Sequence, residues 1–273
     1  MANPELQMLA TGVYGWLQTP PDLDAANAGV VVDGDGLTVI DSLLVPAQAE
    51  PLAVAAEALG LPVRRLVLTS SHIEFAGGSG AFARSAVYGT PQASAHLDQP
   101  PNLDGYRSLF PDHAEHFDDL DTRRVTHIVD RAAQLTPSVA VHLVVAEMAE
   151  NLVVHVPAAG VLFAGAVCSF GVTPLAFDGD PAAWADSLDA VATMAETIVP
   201  GIGPVGGTDE VRALQAYLRA CVDADGDPGA IPAGPWDAWA GRELDAVNVE
   251  RASMLAAGDP SPPPSMLRLL GMD

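Results

Sequence analysis

Short apolar runs separated by glycine, proline and aspartate make up the start of the chain. Residues 11–18 and 28–33 are strand-like, and the turn residues Thr19-Pro20-Pro21-Asp22 lie between them. The segment Asp33-Gly34-Asp35-Gly36 then leads into the apolar run 37–41, and Asp-Gly pairs favour a tight hairpin turn. The pattern predicts strands that are paired through hairpins.

Helical patterns alternate with further strands after this point. Residues 47–60 form an alanine-rich helix pattern that Gly60 and Pro62 end. Residues 181–195 and 208–222 each place their apolar side chains on one stripe, which is typical of a helix that packs on a core. Shorter elements are predicted as a helix at 80–85 and as strands at 66–68, 86–89, 139–145, 151–156 and 160–166.

The last fifty residues have a different composition. Residues 223–235 are rich in aspartate, glycine and proline, which predicts a linker or a long loop, and a helical piece follows at 236–256. Prolines end this helix, and the apolar patch at 266–270 is expected to dock on the core or on a second copy of the chain. We therefore predict a main domain, 1–225, and a C-terminal helical extension with a proline-rich tail packed on it, 226–273.

The stretch with the most chemistry follows the strand at 66–68. It contains the polar segment Thr69-Ser70-Ser71-His72-Ile73-Glu74 and closes with Gly77-Gly78 before the next helical pattern. A strand that ends in polar residues and turns through glycines into a helix is a common place for a site in α/β proteins. His72 and Glu74 are therefore candidate functional residues.

The composition narrows the classes of partner. The formal net charge is −23, and all 12 basic residues are arginine. Such acidity argues against nucleic acid and against anionic membranes as partners. The two cysteines, Cys168 and Cys221, do not indicate a disulfide framework. The first residues lack the pattern of a secretory signal, and no apolar run could span a bilayer, so a cytoplasmic protein is expected, from a bacterium with a GC-rich genome.

The stretch 69–78 resembles the signature loop of the metallo-β-lactamase superfamily, Thr-His-x-His-x-Asp-His-x-Gly-Gly. Four frame residues fall in register, namely Thr69, His72, Gly77 and Gly78. Three metal-ligand positions are changed, and they hold Ser70, Glu74 and Phe75. The resemblance extends over about residues 10–220 and implies an αββα sandwich, in which two mixed sheets pack face to face with helices on the outside. It also implies a site at one edge of the sandwich, where the family binds one or two zinc or iron ions.

Three further ligand positions are replaced when the resemblance is followed along the chain. Glu147 stands at the position of a histidine, Ala166 follows Phe163-Ala164-Gly165 where the bridging aspartate belongs, and Ile202 replaces the histidine within Pro200-Gly201-Ile202-Gly203-Pro204. One histidine and two carboxylates therefore survive, and a zinc site usually needs at least three good protein ligands. The resemblance thus implies at most one divalent metal, zinc, iron or manganese, on His72, Glu74 and Glu147, and no two-metal centre.

A metal-free site is the alternative. Phe75, Ala166 and Ile202 make an apolar wall, in which burial raises the pKa of a carboxyl group. His72 and Glu147 are then a candidate proton-transfer pair, with Glu74 orienting the imidazole or acting as a second acid. The expected lining of the pocket is Ser70, Ser71, Phe75, Ala166, Cys168 and Ile202.

Three functions remain in competition. The first is an enzyme that acts on a small neutral or cationic molecule by hydrolysis or by proton transfer, as in cyclisation or isomerisation. The second is a pseudoenzyme that binds a ligand or a protein partner, and the third is a structural subunit. The acidic stretch 97–121 is a candidate lid. The histidine pairs His113/His116 and His142/His155 are expected on a surface helix and on strands, with a metal site as the alternative for the first pair.

Overall fold

The computed structural model describes residues 5–272. Residues 1–4, on which the predicted lack of a secretory signal partly rests, lie outside this range. The strands are β1 (Leu6–Ala10), β2 (Val13–Trp16), β3 (Ala28–Asp33), β4 (Gly36–Ile40), β5 (Val63–Val67), β6 (Ala86–Gly89), β7 (His127–Ile128), β8 (Ala133–Gln134), β9 (Ala140–Val144), β10 (Asn151–Val156), β11 (Val161–Ser169) and β12 (Thr197–Ile202). The α-helices are α1 (Pro46–Glu57), α2 (Ile73–Ala76), α3 (Pro91–Leu97), α4 (Leu103–Leu109), α5 (Pro181–Val191), α6 (Thr208–Asp223), α7 (Asp245–Ala256) and α8 (Pro264–Leu269).

Two mixed sheets contain these strands. The first has the order β1-β2-β3-β4-β5-β6-β7, antiparallel from β1 to β4 and parallel from β4 to β7. The second has the order β12-β11-β10-β9-β8, and only the β11–β12 pair is parallel. None of the helices within residues 5–272 has the length and apolarity that crossing a bilayer requires.

Apolar side chains bury both faces of each sheet. Between the sheets, Ile40 and Val67 of the first share a core with Val154 and Phe163 of the second. Helix α1 covers the outer face of the first sheet, and helices α5 and α6 cover that of the second. Strands that are buried on both faces are typical of such layered folds. The arrangement is an αββα sandwich, and the predicted fold class is confirmed.

Several elements differ from the sequence prediction. Strand β1 was not predicted. The neighbouring residues Gln7 and Met8 are both exposed at the edge of the sheet, so the strand shows little alternation of buried and exposed positions. The predicted helix at 80–85 is a 3-10 turn at Ser79–Phe82, preceded by the short helix α2. The acidic stretch 97–121, the candidate lid, contains helix α4 and the 3-10 helix Pro111–Asp119, which carries His113 and His116. Phe117 anchors this stretch because its side chain is fully buried.

The C-terminal segment packs on the same chain. Helix α8 places Met266 in a core with Leu175, Leu244 and Val247, and Met266 is 1% exposed. The apolar patch at its end is therefore largely used within the molecule. The division of the chain at residue 225 stays a prediction.

Thr69, two residues after the end of β5, joins the two sheets by hydrogen bonds. Its backbone N–H and its hydroxyl both donate to the buried carboxyl group of Asp41, each over 2.7 Å. Its hydroxyl accepts from the N–H of Ala166 over 3.2 Å, and its carbonyl accepts from the N–H of Leu152 over 2.9 Å. Asp41 lies beyond β4, whereas Ala166 and Leu152 belong to the second sheet. One residue thus fixes the relative position of four strands at this edge of the sandwich.

Asp41→Asn is expected to change how stability depends on pH. Burial raises the pKa of Asp41 from 3.8 to about 8, although the bonds from Thr69 oppose this shift. A group whose pKa is raised by folding contributes its full stabilisation below its unfolded pKa. This contribution to the free energy of unfolding is lost as the pH rises towards 8, because the unfolded chain loses the proton first. The free energy of unfolding of the wild type should therefore fall relative to that of the variant by up to about 1.4 kcal/mol per pH unit in this window.

Denaturant unfolding of both proteins between pH 4 and pH 9 measures this difference. Asparagine retains the shape of the side chain and can still bond to Thr69. Asp186→Asn, at a side chain that is 82% exposed, is the matched control and should show a curve parallel to that of the wild type. Parallel curves for Asp41→Asn as well would contradict the assignment.

Gly77→Ala is expected to destabilise the fold strongly. A Cβ at this position would lie 1.8 Å from the carbonyl oxygen of Leu44, a backbone atom that cannot move independently. Overpacking of this kind costs about 1–3 kcal/mol or more, whereas Gly229→Ala meets only an exposed side-chain oxygen at 3.2 Å and should be nearly neutral. Equal denaturation midpoints for the two variants would show that the loop tolerates a side chain.

Candidate active site

The loop after β5 carries two of the candidate residues to the edge of the sandwich. His72 is the N-cap of α2, and Glu74 lies in the first turn of this helix. The loop is held close to the segment after β4, because Gly77 and Gly78 pack against the carbonyl oxygens of Leu44 and Ser42. The two glycines thus fix where His72 and Glu74 lie.

His72 lies between two carboxylates. Its Nδ1 is 3.1 Å from Oε1 of Glu147, and its Nε2 is 3.1 Å from Oδ2 of Asp178. The imidazole ring also stacks on Phe177, with ring centroids 5.3 Å apart. Burial lowers the pKa of His72, but the charge of Glu147, the hydrogen bond to Asp178 and the charge of Glu74 outweigh it and raise the pKa well above 6.5. The surroundings of His72 therefore favour its protonated form.

The two carboxylates differ in their surroundings. Glu147 is buried in the loop between β9 and β10, and its Oε1 touches His72 without receiving an aligned hydrogen bond from any residue within 5–272. Asp178 is the more open of the two, with 36% of its side chain exposed. Burial would raise the pKa of Asp178, yet the hydrogen bond and the charge of His72 lower it. Asp178 is thus a carboxylate at neutral pH.

Glu74 is a buried carboxyl group whose pKa lies close to neutrality. Glu74 is 6% exposed, and its carboxyl group forms no hydrogen bond with any other residue within 5–272. Burial raises its pKa from 4.5 to about 7, with His72 lowering it and Glu147 raising it further. A carboxyl group of this pKa can give or take a proton near neutral pH.

A cavity of about 180 Å³ lies in front of these groups. Helix α4, from the acidic stretch, and helix α8 each form part of its wall. The lining residues are Ser71, His72, Ile73, Glu74, His96, Asn102, Gly105, Tyr106, Leu109, Leu175, Phe177, Asp178, Met266 and Leu270. A wider depression of about 330 Å³ shares Ser71, His96 and Tyr106 with it. The acidic stretch therefore covers the cavity, and a lid-like movement of it stays a prediction.

A much smaller void marks the other side of Glu74. It measures about 20 Å³, and its lining includes Phe75, Ala166, Cys168 and Ile202. This volume holds about one water molecule. The replaced ligand positions thus form a packed apolar wall behind Glu74 and Glu147, separate from the larger cavity.

The other predicted lining residues are divided in the structure. Ser71 lines the larger cavity, whereas the hydroxyl of Ser70 is buried and donates to Sδ of Met148 over 3.3 Å. Burial raises the pKa of the Cys168 thiol, which disfavours the thiolate that a nucleophile needs. Cys168 therefore acts as a packing residue.

The donor set does not fit the metal site that the family pattern implies. Within residues 5–272, His, Cys, Asp and Glu side chains form no group of three or more that could hold a metal ion. The reason is geometric, since the two nitrogens of His72 face carboxylates on opposite sides of the ring. The positions of Phe75, Ala166 and Ile202 offer only hydrocarbon.

The two histidine pairs singled out in the sequence lie away from this site. His113 Nε2 is 2.8 Å from Oδ2 of Asp24, and His116 is on the exposed side of the same 3-10 helix. His142 and His155 lie on the neighbouring strands β9 and β10, with ring centroids 6.1 Å apart. Neither pair contributes to the cavity.

Several residues of the site carry no signal in the sequence. Asp178 is one of 35 acidic residues, and no motif places it opposite His72. The buried Arg251 of α7 donates to the carbonyl oxygens of Gly179, Asp178 and Pro260 over 2.9, 3.3 and 2.9 Å. It thereby ties the Asp178 loop to the segment that leads into α8. Only the folded chain brings these parts together.

Comparison with known proteins agrees with this architecture. The model of the metallo-beta-lactamase superfamily matches residues 21–201. The mono-zinc form of the metallo-beta-lactamase FIM-1 from Pseudomonas aeruginosa superposes with a TM-score of 0.64 at 17% identity, over 85% of this chain and 98% of that chain. A metallo-beta-lactamase from Erythrobacter litoralis gives 0.62 at 22% identity, over 80% and 97%, and one from Pontibacter korlensis gives 0.60 at 19%, over 79% and 99%.

At these identities the solved structures show the shared fold, while the family model spans most of the sandwich. The retained frame residues Thr69, His72, Gly77 and Gly78 lie within the matched range. The chain belongs to the metallo-beta-lactamase superfamily.

Proposed function

We propose that the protein is an enzyme that carries out acid–base chemistry on a small organic molecule in the cavity of about 180 Å³. The observation that carries this proposal is Glu74. Its carboxyl group is buried, lines the cavity, has a pKa near 7 and is not engaged by another residue of the described chain. Enzymes raise the pKa of a catalytic carboxyl group by the same combination of burial and a nearby like charge.

His72 has a different role in this proposal from the one that the sequence suggested. An imidazolium that faces a carboxylate on each side is a poor proton acceptor, so we assign it to charge compensation and positioning. Its positive charge limits the rise in the pKa of Glu74, because Glu147 alone would raise it further. In this proposal Glu74 transfers the proton, instead of the predicted pair of His72 and Glu147.

The reaction class follows from a single group that exchanges a proton near pH 7. Isomerisation and cyclisation by intramolecular addition each need one proton removed from the substrate and one delivered to it, and a carboxyl group of this kind can do both in turn. The residues at the former ligand positions do not fit a metal, so the proposal uses the side chains of this chain alone.

Binding without turnover is the second candidate function. The apolar wall formed by Leu109, Leu175, Met266 and Leu270 favours it, since such a surface takes up a ligand regardless of any chemistry. The two candidates differ in whether Glu74 moves a proton.

Glu74→Gln is expected to abolish proton transfer while the fold remains. The protein is incubated in D₂O with a mixture of small molecules extracted from bacteria, and masses are followed over time. The wild type should introduce deuterium into, or convert, at least one compound, with a pH profile that bends near pH 7 because that is the pKa of Glu74. The variant should be slower by at least about 100-fold.

Glu115→Gln is the matched control, because its side chain is 86% exposed and distant from the cavity lining. It should behave as the wild type does. An unchanged rate in Glu74→Gln would remove Glu74 from the mechanism, and a wild type that alters no compound would leave binding as the function.

A further inference from the structure

We propose that the molecule bound in this cavity is a small organic cation, about the size of a six-membered ring with an ammonium group. The inference rests on the proposed function only in placing the ligand in the same cavity. It adds the charge and the size of the ligand, which the proton-transfer role of Glu74 does not determine.

The charge of the ligand follows from the groups that face the cavity. Glu74 and Asp178 present carboxyl groups to it, and Glu147 adds a third acidic group directly behind. His72 supplies one positive charge, which is shared between Glu147 and Asp178. Glu74 therefore has no cationic partner of its own, and it is more than nine-tenths buried.

The described residues that line the cavity include no arginine. The charge of Arg251 helps to lower the pKa of Asp178, but its guanidinium donates only to backbone carbonyl oxygens of the Asp178 loop and of the segment after α7, and it forms no hydrogen bond with Glu74. His96 lines the cavity, and its Nδ1 is 3.1 Å from the hydroxyl of Ser71. An anionic ligand would meet uncompensated negative charge here, whereas a cation would supply the partner that Glu74 lacks.

The rest of the chain reinforces this preference. The formal net charge of −23 produces a field that concentrates cations near the surface and repels anions. The phenol of Tyr106 adds no charge, because burial and then the nearby Glu74 raise its pKa. Its aromatic ring is part of the wall, and aromatic rings favour organic cations over anions.

The size of the ligand follows from the volume and the lining of the cavity. A volume of about 180 Å³ is slightly larger than the roughly 150 Å³ that accommodates benzene in an engineered protein cavity. Leu109, Leu175, Met266 and Leu270 give the side away from Glu74 an apolar surface. A ring or a short branched chain with one ammonium group matches the apolar side and the acidic side of the cavity.

Calorimetric titration with three probes of the same shape tests the proposal. Cyclohexylammonium, cyclohexanol and cyclohexanecarboxylate differ in charge and share the six-membered ring. We expect cyclohexylammonium to bind at least tenfold more tightly than cyclohexanol, and cyclohexanecarboxylate not to bind. At pH 7 the cation should also release a proton from Glu74, so the measured enthalpy should depend on the ionisation enthalpy of the buffer.

Two neutral variants and a control locate the effect. Glu74→Gln should remove the proton release and weaken the cation at least tenfold, while cyclohexanol is unaffected. Asp178→Asn should weaken the cation without removing the proton release, and Asp186→Asn, at an exposed site, should change neither. Circular dichroism tests whether each variant is folded. If a variant is not folded, the relative affinities of the wild type for the three probes decide whether the cavity selects cations.

Each remaining outcome overturns the inference. Equal affinity for cyclohexanol, tighter binding of the carboxylate, or no binding of cyclohexylammonium at millimolar concentration would exclude a cation-selective cavity. The deuterium experiment is independent of this result. If a cation binds but no compound is turned over, the proposed enzymatic function is wrong and the cationic ligand is retained. If a neutral compound is turned over, the enzymatic function is retained and the cationic ligand is wrong.

Discussion

The hydrogen bonds between Thr69 and Asp41 are the interaction on which the architecture of the site depends. Thr69 is fully buried two residues after the end of β5, where each polar group left without a partner would cost about 1–3 kcal/mol. Here Asp41, Ala166 and Leu152 satisfy all three groups. The loop that follows therefore leaves the sheet in one direction, which places His72 and Glu74 at the edge between the sheets.

The electrostatics of the cavity follow from an apolar wall with acidic side chains beside it. The hydrocarbon side chains of Phe75 and Ala166 pack with Ala26 in this wall. Acidic side chains remain beside this wall, and water is largely excluded from them. Buried carboxylates persist only with a partner or with a proton. Glu147 has His72 as its partner, whereas burial and the charge of Glu147 raise the pKa of Glu74 to about 7.

The sequence allowed the fold to be predicted more completely than the site. Alternating apolar positions predict many of the individual strands and helices, and the family resemblance carried by the frame around Gly77 implies the sandwich, because each of these signals is local in the chain. The proximity of His72 to Glu147 was implied by the family resemblance alone. Asp178 and Met266 reach the cavity through packing of segments that are distant in sequence, and such packing has no local pattern. Strand β1 was not predicted for a related reason, because exposed residues at the edge of a sheet need no alternation of apolar and polar side chains.

The wall that α8 contributes has a consequence for the biosynthesis of the protein. Both sheets are complete once β12 has left the ribosome, but Met266 and Leu270 emerge some sixty residues later. Until then the cavity beside Glu74 lacks the part of its wall that Met266 and Leu270 supply. The newly made chain thus completes both sheets before it completes this cavity.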